Sequence, residues 1–134
     1  MRYFLTFSIF IIFSAQSFAA QWQCQDSGGW MLNTQGGTVQ LPAEPNDIYV
    51  IAFSPPNKMQ ILQSSDPLDA QIYPYLNWVK IGNTFHGTGI YTMGGATFNV
   101  TESIDDTKAI SAAVVSGHPE IIAAMGVSSC RRIK

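Results

Sequence analysis

Hydrophobic and polar positions alternate along this chain in short runs that are separated by turn residues. The turns are rich in glycine, proline, serine and asparagine, and they recur about every ten residues, a spacing typical of an antiparallel meander in a sandwich or barrel. We predict strands over the ranges 21–25, 30–33, 38–41, 48–53, 59–63, 76–81, 85–93 and 96–101.

The patterns of two of these strands and of one turn are informative. Residues 97–101 alternate cleanly, which points Phe98 and Val100 inward. Residues 47–53 are apolar on both faces, which is typical of a central strand. The pair Gly94–Gly95 between two runs predicts a two-residue hairpin turn.

Two segments break the strand pattern and carry helix signals. The segment 66–73 starts with Asp, Pro and a second Asp at the N-cap, N1 and N3 positions, and Pro74 ends it. The segment 103–117 starts with Ser, has two aspartates in its first turn and ends in Gly, so we predict a helix, with a strand pair as the alternative. Residues 120–127 then predict a last strand leading into Cys130, although a short helix would also suit this start.

The first nineteen residues have the layout of a secretory signal peptide. Arg2 precedes an apolar stretch over residues 4–13, and Ser17 and Ala19 supply the small side chains at the −3 and −1 positions. The apolar run is shorter than the roughly 20 residues that a membrane-spanning helix needs. We therefore expect a signal peptide over 1–19 and one exported β-rich domain over 20–134, in the periplasm or outside the cell, with no membrane span.

Two cysteines lie near the two ends of the expected mature chain. Export places the chain in an oxidising compartment, so we predict a disulfide between Cys24 and Cys130. The pair lacks the Cys-x-x-Cys spacing of redox sites. The predicted fold is mainly β, a small antiparallel barrel or sandwich with one or two short helices and its ends tied by this bond.

Charge and composition exclude several classes of function. Seven Lys and Arg against nine Asp and Glu give a net charge of −2, and only 12% of residues are charged, about half the usual share. Such a chain, without a long basic run, is a poor candidate for binding nucleic acid. No metal site or cofactor is expected, because two cysteines cannot form a four-cysteine zinc site. Residues 131–134 form a basic C-terminal segment that is either a solvated tail or a contact with an acidic partner.

Catalytic residue types are scarce. The chain has two histidines, His86 in a strand and His118 in a turn, and no Gly-x-Ser-x-Gly motif. The acidic residues Glu102, Asp105 and Asp106 lack the ligand spacing of a calcium loop and suit the start of the predicted helix. A small hydrolase-like enzyme that uses His86 remains an alternative.

The most informative segment is aromatic. Tyr73, Tyr75 and Trp78 crowd a proline bend after the longest break between strands, and exposed Tyr and Trp often anchor partners. The alternative for each is a place in the core, which we favour for Trp78. His86 and Tyr91 on the next strand are expected to complete this candidate binding surface.

These observations predict a small exported binding domain that recognises a protein or a glycan through an aromatic surface. In outline, with its ends tied through Cys24 and Cys130, the chain resembles lysozyme-inhibitor barrels and lipocalin-like carriers. The second resemblance implies a carrier of a small apolar ligand as an alternative. Large side chains expected to point inward favour a filled interior instead, namely Trp22, Trp30, Ile61 and Phe98.

Overall fold

The structure, a computed structural model, describes residues 19–64 and 76–134. They form a single sheet of nine antiparallel strands, and the strands are short except for the first and the last. The strands are β1 (Ala20–Asn33), β2 (Thr38–Leu41), β3 (Ile48–Ser54), β4 (Lys58–Gln63), β5 (Asn77–Ile81), β6 (Thr84–Met93), β7 (Ala96–Ile104), β8 (Lys108–Ser116) and β9 (Ile121–Arg132).

The sheet is wound into a nearly closed barrel, which confirms the predicted fold class. Its strand order is β4-β3-β1-β9-β8-β7-β6-β5, with β2 paired to β1 beside this path. The two strands at the ends of the order, β4 and β5, approach each other and nearly complete the barrel. The hairpin at Gly94–Gly95 is confirmed, and both glycines have positive φ angles of 59° and 80°, which other residues rarely adopt. No helix in the described part of the chain is long and apolar enough to span a bilayer.

Aromatic and aliphatic side chains fill the barrel near the end that carries both termini. Trp22 and Ile104 are almost fully buried, and the Trp22 ring meets the Phe85 ring edge-on at a centroid distance of 5.2 Å. Trp78 covers Gly87, where a Cβ would come within 2.8 Å of the indole ring. The Trp22 indole donates to Asp106 Oδ1 over 2.9 Å, so the buried ring keeps a polar partner.

The helix predicted over 103–117 is wrong. The chain instead leaves β7 at Ile104, turns, and returns as β8 from Lys108 to Ser116. The Asp105 carboxylate accepts hydrogen bonds from the backbone N–H groups of Thr107 at 2.7 Å and Lys108 at 2.9 Å. An N-cap and a tight turn use this same side-chain chemistry, and here the β-branched residues after the turn pair with β7.

The remaining helix and strand predictions have different outcomes. The helix over 66–73 lies outside the described residues. The strand over 120–127 is confirmed and is longer than predicted, since β9 runs through Cys130 to Arg132. The C-terminal residues stay attached to the sheet, because the N–H of Ile133 donates to the carbonyl of Gln21 over 2.9 Å.

The first strand differs from the prediction in one respect that changes the surface. Residues 21–25 and 30–33 belong to one strand, and the expected turn at Gly28–Gly29 is a β-bulge. Asp26 pairs with Ser128 and Gly29 pairs with Gly126, so β1 has one more residue than β9 at this point. Because side chains alternate between the faces of a strand, the extra residue reverses the phase of everything after it.

The bulge explains why the predicted inward position of Trp30 is wrong. Before the bulge, Trp22 and Cys24 point inward, and an unbroken alternation would also send Trp30 inward. After the bulge, Trp30 points outward and is 47% exposed. Gly28 has a φ of +96°, and a Cβ on Gly29 would collide with the carbonyl oxygen of Met125, so glycine suits both positions.

The disulfide joins the first and last strands and confirms the predicted pairing. Cys24 and Cys130 are register partners on β1 and β9, both are buried, and their sulfur atoms are bonded. The bond closes a loop of 106 residues and fixes the two ends of the chain side by side. Disulfides of this kind persist in oxidising compartments.

Reducing the Cys24–Cys130 bond is expected to lower the free energy of unfolding by about 4–5 kcal/mol, because it frees a very long loop in the unfolded chain. Denaturant unfolding with and without reductant measures the difference. The Cys24→Ala/Cys130→Ala variant is the control and should not respond to reductant. Two titratable thiols in the unfolded, unreduced protein would contradict the bond.

Asp105 should make stability depend on acid. Hydrogen bonds from the Thr107 hydroxyl and backbone, and then from the Lys108 backbone, lower the pKa of Asp105 below its ordinary value. A lowered pKa in the folded state stabilises the fold above the unfolded pKa, and this contribution disappears as pH falls through the folded pKa. We therefore expect Asp105→Asn to lower Tm by a few degrees at neutral pH, with the Tm difference disappearing as pH falls through the lowered pKa of Asp105.

The matched control for Asp105 is Glu44→Gln, which removes an exposed carboxylate from a different turn. Its Tm difference from the wild type should stay small at every pH. A deficit of Asp105→Asn that is unchanged in acid would show that the charge of Asp105 does not contribute to stability.

Candidate functional site

The residues predicted to bind a partner are not brought together on one surface of the described chain. Tyr73 and Tyr75 lie outside the described residues. Trp78 belongs to the core and is only 5% exposed. Its ring therefore packs inside the barrel and offers little contact area to a partner.

His86 and Tyr91 lie on opposite faces of β6. His86 points outward between Val79 and Ser103 and is half-buried. Tyr91 is on the inward face, where its ring stacks on Phe98 with a centroid distance of 4.8 Å and an interplanar angle of 2°. The role of the two residues in binding stays a prediction, and the two would serve different surfaces.

Neither histidine is joined to a carboxylate by a hydrogen bond within the part of the chain that the structure describes. His118 Nδ1 accepts the backbone N–H groups of Glu120 at 3.0 Å and Ile121 at 3.1 Å, and so shapes the turn before β9. Residues 19–64 and 76–134 also contain no group of three metal-ligating side chains. The described residues thus offer no acid–base pair around His86.

The described residues enclose a small polar cavity in the interior. Its volume is about 130 Å³, and its lining includes the carboxyl-bearing residues Asp26, Asp47 and Glu102 together with Tyr49 and Ser128. Pockets that bind small apolar ligands are larger, roughly 300–1,000 Å³, and mostly apolar. This cavity therefore does not suit the apolar ligand of a carrier.

A larger groove of about 400 Å³ lies on the outside of the barrel. Two neighbouring rows of outward-facing side chains form it across the strands β1, β9, β8 and β7, and Thr38 of β2 adds to one end. One row contains Trp30, Met125, Ala112 and Thr101, and the other contains Leu32, Ala123, Val114 and Asn99. We call these nine residues the outer groove.

The outer groove combines large and small side chains. Ala112 and Ala123 lie next to the larger Trp30, Met125 and Val114 in the two rows. Trp30 is 47% exposed, Met125 39% and Val114 59%, although all three are strongly apolar. The lining contains no charged residue. Contiguous exposed apolar patches of this kind are uncommon on monomers and mark interaction sites.

The outer groove borders an edge strand. Among the described residues β2 pairs with β1 alone, and all four of its residues are exposed. Asn33 N–H donates to the Gly37 carbonyl at the start of this hairpin, so by alternation the backbone groups of Thr38 and Gln40 point away from β1. Such an edge can pair with an extended segment of another chain.

Sequence reasoning missed the outer groove, although a signal for it exists. Two adjacent glycines inside a run that is otherwise strand-like indicate a bulge as readily as a turn. Assigning a bulge at Gly28–Gly29 would have turned Trp30 to the outside. The apolar residues on both faces of β8 and β9 would then have formed a continuous outer surface with it.

Comparison with known proteins adds no relatives, because no family model, no curated protein and no solved structure matches the chain.

Trp30 should dominate the quenching of tryptophan fluorescence by acrylamide. Trp22 and Trp78 are 1% and 5% exposed, whereas Trp30 is 47% exposed. We expect Trp30→Phe to remove most of the quenchable emission, and Trp22→Phe, the control, to leave it. Equal quenching of the wild type and Trp30→Phe would place Trp30 inside the barrel and remove the outer groove.

Proposed function

We propose that this protein is an exported, non-enzymatic binding domain that recognises a protein partner through the outer groove. The observation that carries the proposal is the half-exposed Trp30 in an uncharged groove that Met125 and Val114, which are also exposed, help to line. Tryptophan and neighbouring apolar residues in a depression are the usual anchors of protein interfaces. The outer groove thus replaces the aromatic segment of Tyr73, Tyr75 and Trp78 as the first candidate surface.

The chemistry of the groove favours one kind of occupant. Its lining is neutral, and its only polar side chains are Thr38, Asn99 and Thr101. An uncharged apolar side chain fits this lining, whereas a charged group would lose its hydration without gaining a partner. The edge of β2 beside the groove favours an extended protein segment over a glycan, because a peptide backbone can pair with its free groups.

The interior argues against the carrier alternative, and the surroundings of His86 give the enzyme alternative no support. Buried side chains such as Trp22, Phe85 and Ile104 occupy the interior near the termini, and the cavity beyond them is small and polar. Neither alternative accounts for the exposed apolar side chains of the outer groove, whereas a binding role does. The export of the domain is part of this proposal, and the disulfide is consistent with it.

Quantitative pull-down from an envelope extract tests the proposal with three variants. We expect Trp30→Ala and Val114→Asp to make the free energy of binding less favourable by about 1–3 kcal/mol, which is the usual effect of losing an anchor residue. Ile90→Asp is the matched control, because Ile90 is 66% exposed on the same outer face but does not line the groove. Thermal melts of all three variants show whether folding is preserved.

Tyr73→Ala and Tyr75→Ala separate the groove from the surface predicted from sequence. Binding that is unaffected in these two variants and lost in Trp30→Ala supports the outer groove. Binding that is lost in the tyrosine variants and kept in Trp30→Ala and Val114→Asp would return the site to the aromatic segment.

A further inference from the structure

The fold gathers positive charge at one end of the barrel. Six of the seven Lys and Arg residues lie in the described chain, and all six side chains are exposed. Three of them, Lys58, Lys80 and Lys108, are scattered along the sequence, and the other three, Arg131, Arg132 and Lys134, lie together at its end.

Strand direction explains the gathering. Because the sheet is antiparallel, the start of one strand lies beside the end of its neighbour. Lys58 and Lys108 are the first residues of β4 and β8, Lys80 precedes the last residue of β5, and Arg131 and Arg132 end β9. All of these positions lie at the end of the barrel where both termini meet, which we call the basic end.

The opposite end carries no Lys or Arg among the described residues. Glu120 lies in a turn at that end, and Glu44 lies about halfway along the barrel, where its N–H donates to Asp26. At the basic end, the six cations face the two carboxylates Asp105 and Asp106, so the side chains that the structure describes there sum to +4. A protein whose overall charge is slightly negative therefore has a strongly positive end.

The hydrogen bonds of Arg131 leave its charge uncompensated. Its guanidinium donates twice to the neutral amide oxygen of Gln23, at 2.6 and 3.1 Å. Arg132 donates to the main-chain oxygen of Lys134, the last residue of the sequence, at 3.0 Å. The bonds to Gln23 therefore hold Arg131 in place at the rim without neutralising it.

Two features favour a flat anionic target over a single acidic peptide. The cations sit on strands around the rim, on β4, β5, β8 and β9, so a planar surface contacts them together more readily than a narrow ligand does. Two exposed isoleucines share this end, Ile81 at 65% and Ile133 at 47% exposure. Lys and Arg beside exposed apolar side chains are typical of proteins that bind at lipid headgroups.

We propose that the basic end docks on a membrane surface rich in phosphate-bearing anionic lipids, with Ile81 and Ile133 entering the headgroup layer. This role is separate from the outer groove, which lies in the other half of the barrel. Electrostatic attraction orients the domain, because only one end is positive. The contact is peripheral and weakens with added salt.

Co-sedimentation with vesicles tests the proposal on the protein as the cell processes it. The probes are vesicles of phosphatidylcholine alone and vesicles with about one third phosphatidylglycerol. We expect binding to the second kind only, and its loss at high salt. Lys58→Gln with Lys108→Gln should weaken the partition roughly thirtyfold, from about 1 kcal/mol per lysine.

Two matched controls separate the basic end from net charge and from general hydrophobicity. Glu44→Gln with Glu120→Gln changes the net charge by two units in the opposite sense, away from the basic end, and should leave binding within about twofold. Ile81→Thr should weaken binding about fivefold, whereas Ile90→Thr, equally exposed but distant from the basic end, should not change it. Lys58→Arg with Lys108→Arg should bind as the wild type does.

Three outcomes would overturn the proposal. They are equal binding to neutral and anionic vesicles, an effect of the glutamate variants as large as that of the lysine variants, and binding to soluble polyphosphate with no binding to vesicles. The last would assign the basic end to a soluble polyanion. Because none of these measurements uses the groove, their failure leaves the proposed protein partner unaffected, and failure of the pull-down leaves this inference intact.

Discussion

The pairing of the first strand with the last is the constraint on which the rest of the barrel depends. β1 and β9 are the two longest strands, and they lie side by side in the middle of the strand order, with β3 on one side and β8 on the other. Contacts between residues so far apart in the chain are costly to form, because a very long loop must close first. The Cys24–Cys130 bond removes much of that cost from the unfolded chain.

The same ladder also determines the surface. Near the termini, β1 and β9 pair in one register, and Trp22 and Cys24 point into the barrel. Beyond the bulge the register shifts by one residue, and Trp30 points to solvent beside Met125. The molecule is thus divided along its length. The half with the termini has a packed aromatic interior and a charged rim, and the other half presents apolar side chains on its outer wall.

The local sequence pattern was sufficient to predict most strands. It was insufficient where the same side-chain hydrogen bonds can start a helix or close a turn. Strands β3, β4, β6 and β7 were predicted near their true bounds. Short apolar runs on either side of a proline or glycine turn are enough to define a hairpin locally. Asp105 was ambiguous, since a carboxylate that accepts nearby N–H groups starts a helix or closes a turn equally well. Pairing with β7, a contact that tertiary structure alone provides, decides between the two.

The candidate site was less predictable than the fold for a physical reason. Whether a strand residue faces in or out is found by counting alternate positions from a residue whose face is known. One extra residue in between reverses the result, and the bulge in β1 therefore places Trp30 on the face opposite to the predicted one. The gathering of charge is likewise invisible along the sequence. Lys58 and Lys108 are fifty positions apart, and antiparallel strand direction alone places them at the same end.

The bulge has an evolutionary consequence because it consists of one residue. Insertion or deletion of a single codon around Gly28 would exchange the faces of β1 between the bulge and Asn33 without altering any other amino acid. A β1 strand without the extra residue would place Trp30 inside the barrel. One in-frame insertion is therefore enough to convert a core tryptophan into an exposed one, while the strands near the disulfide keep their pairing and hold the barrel together.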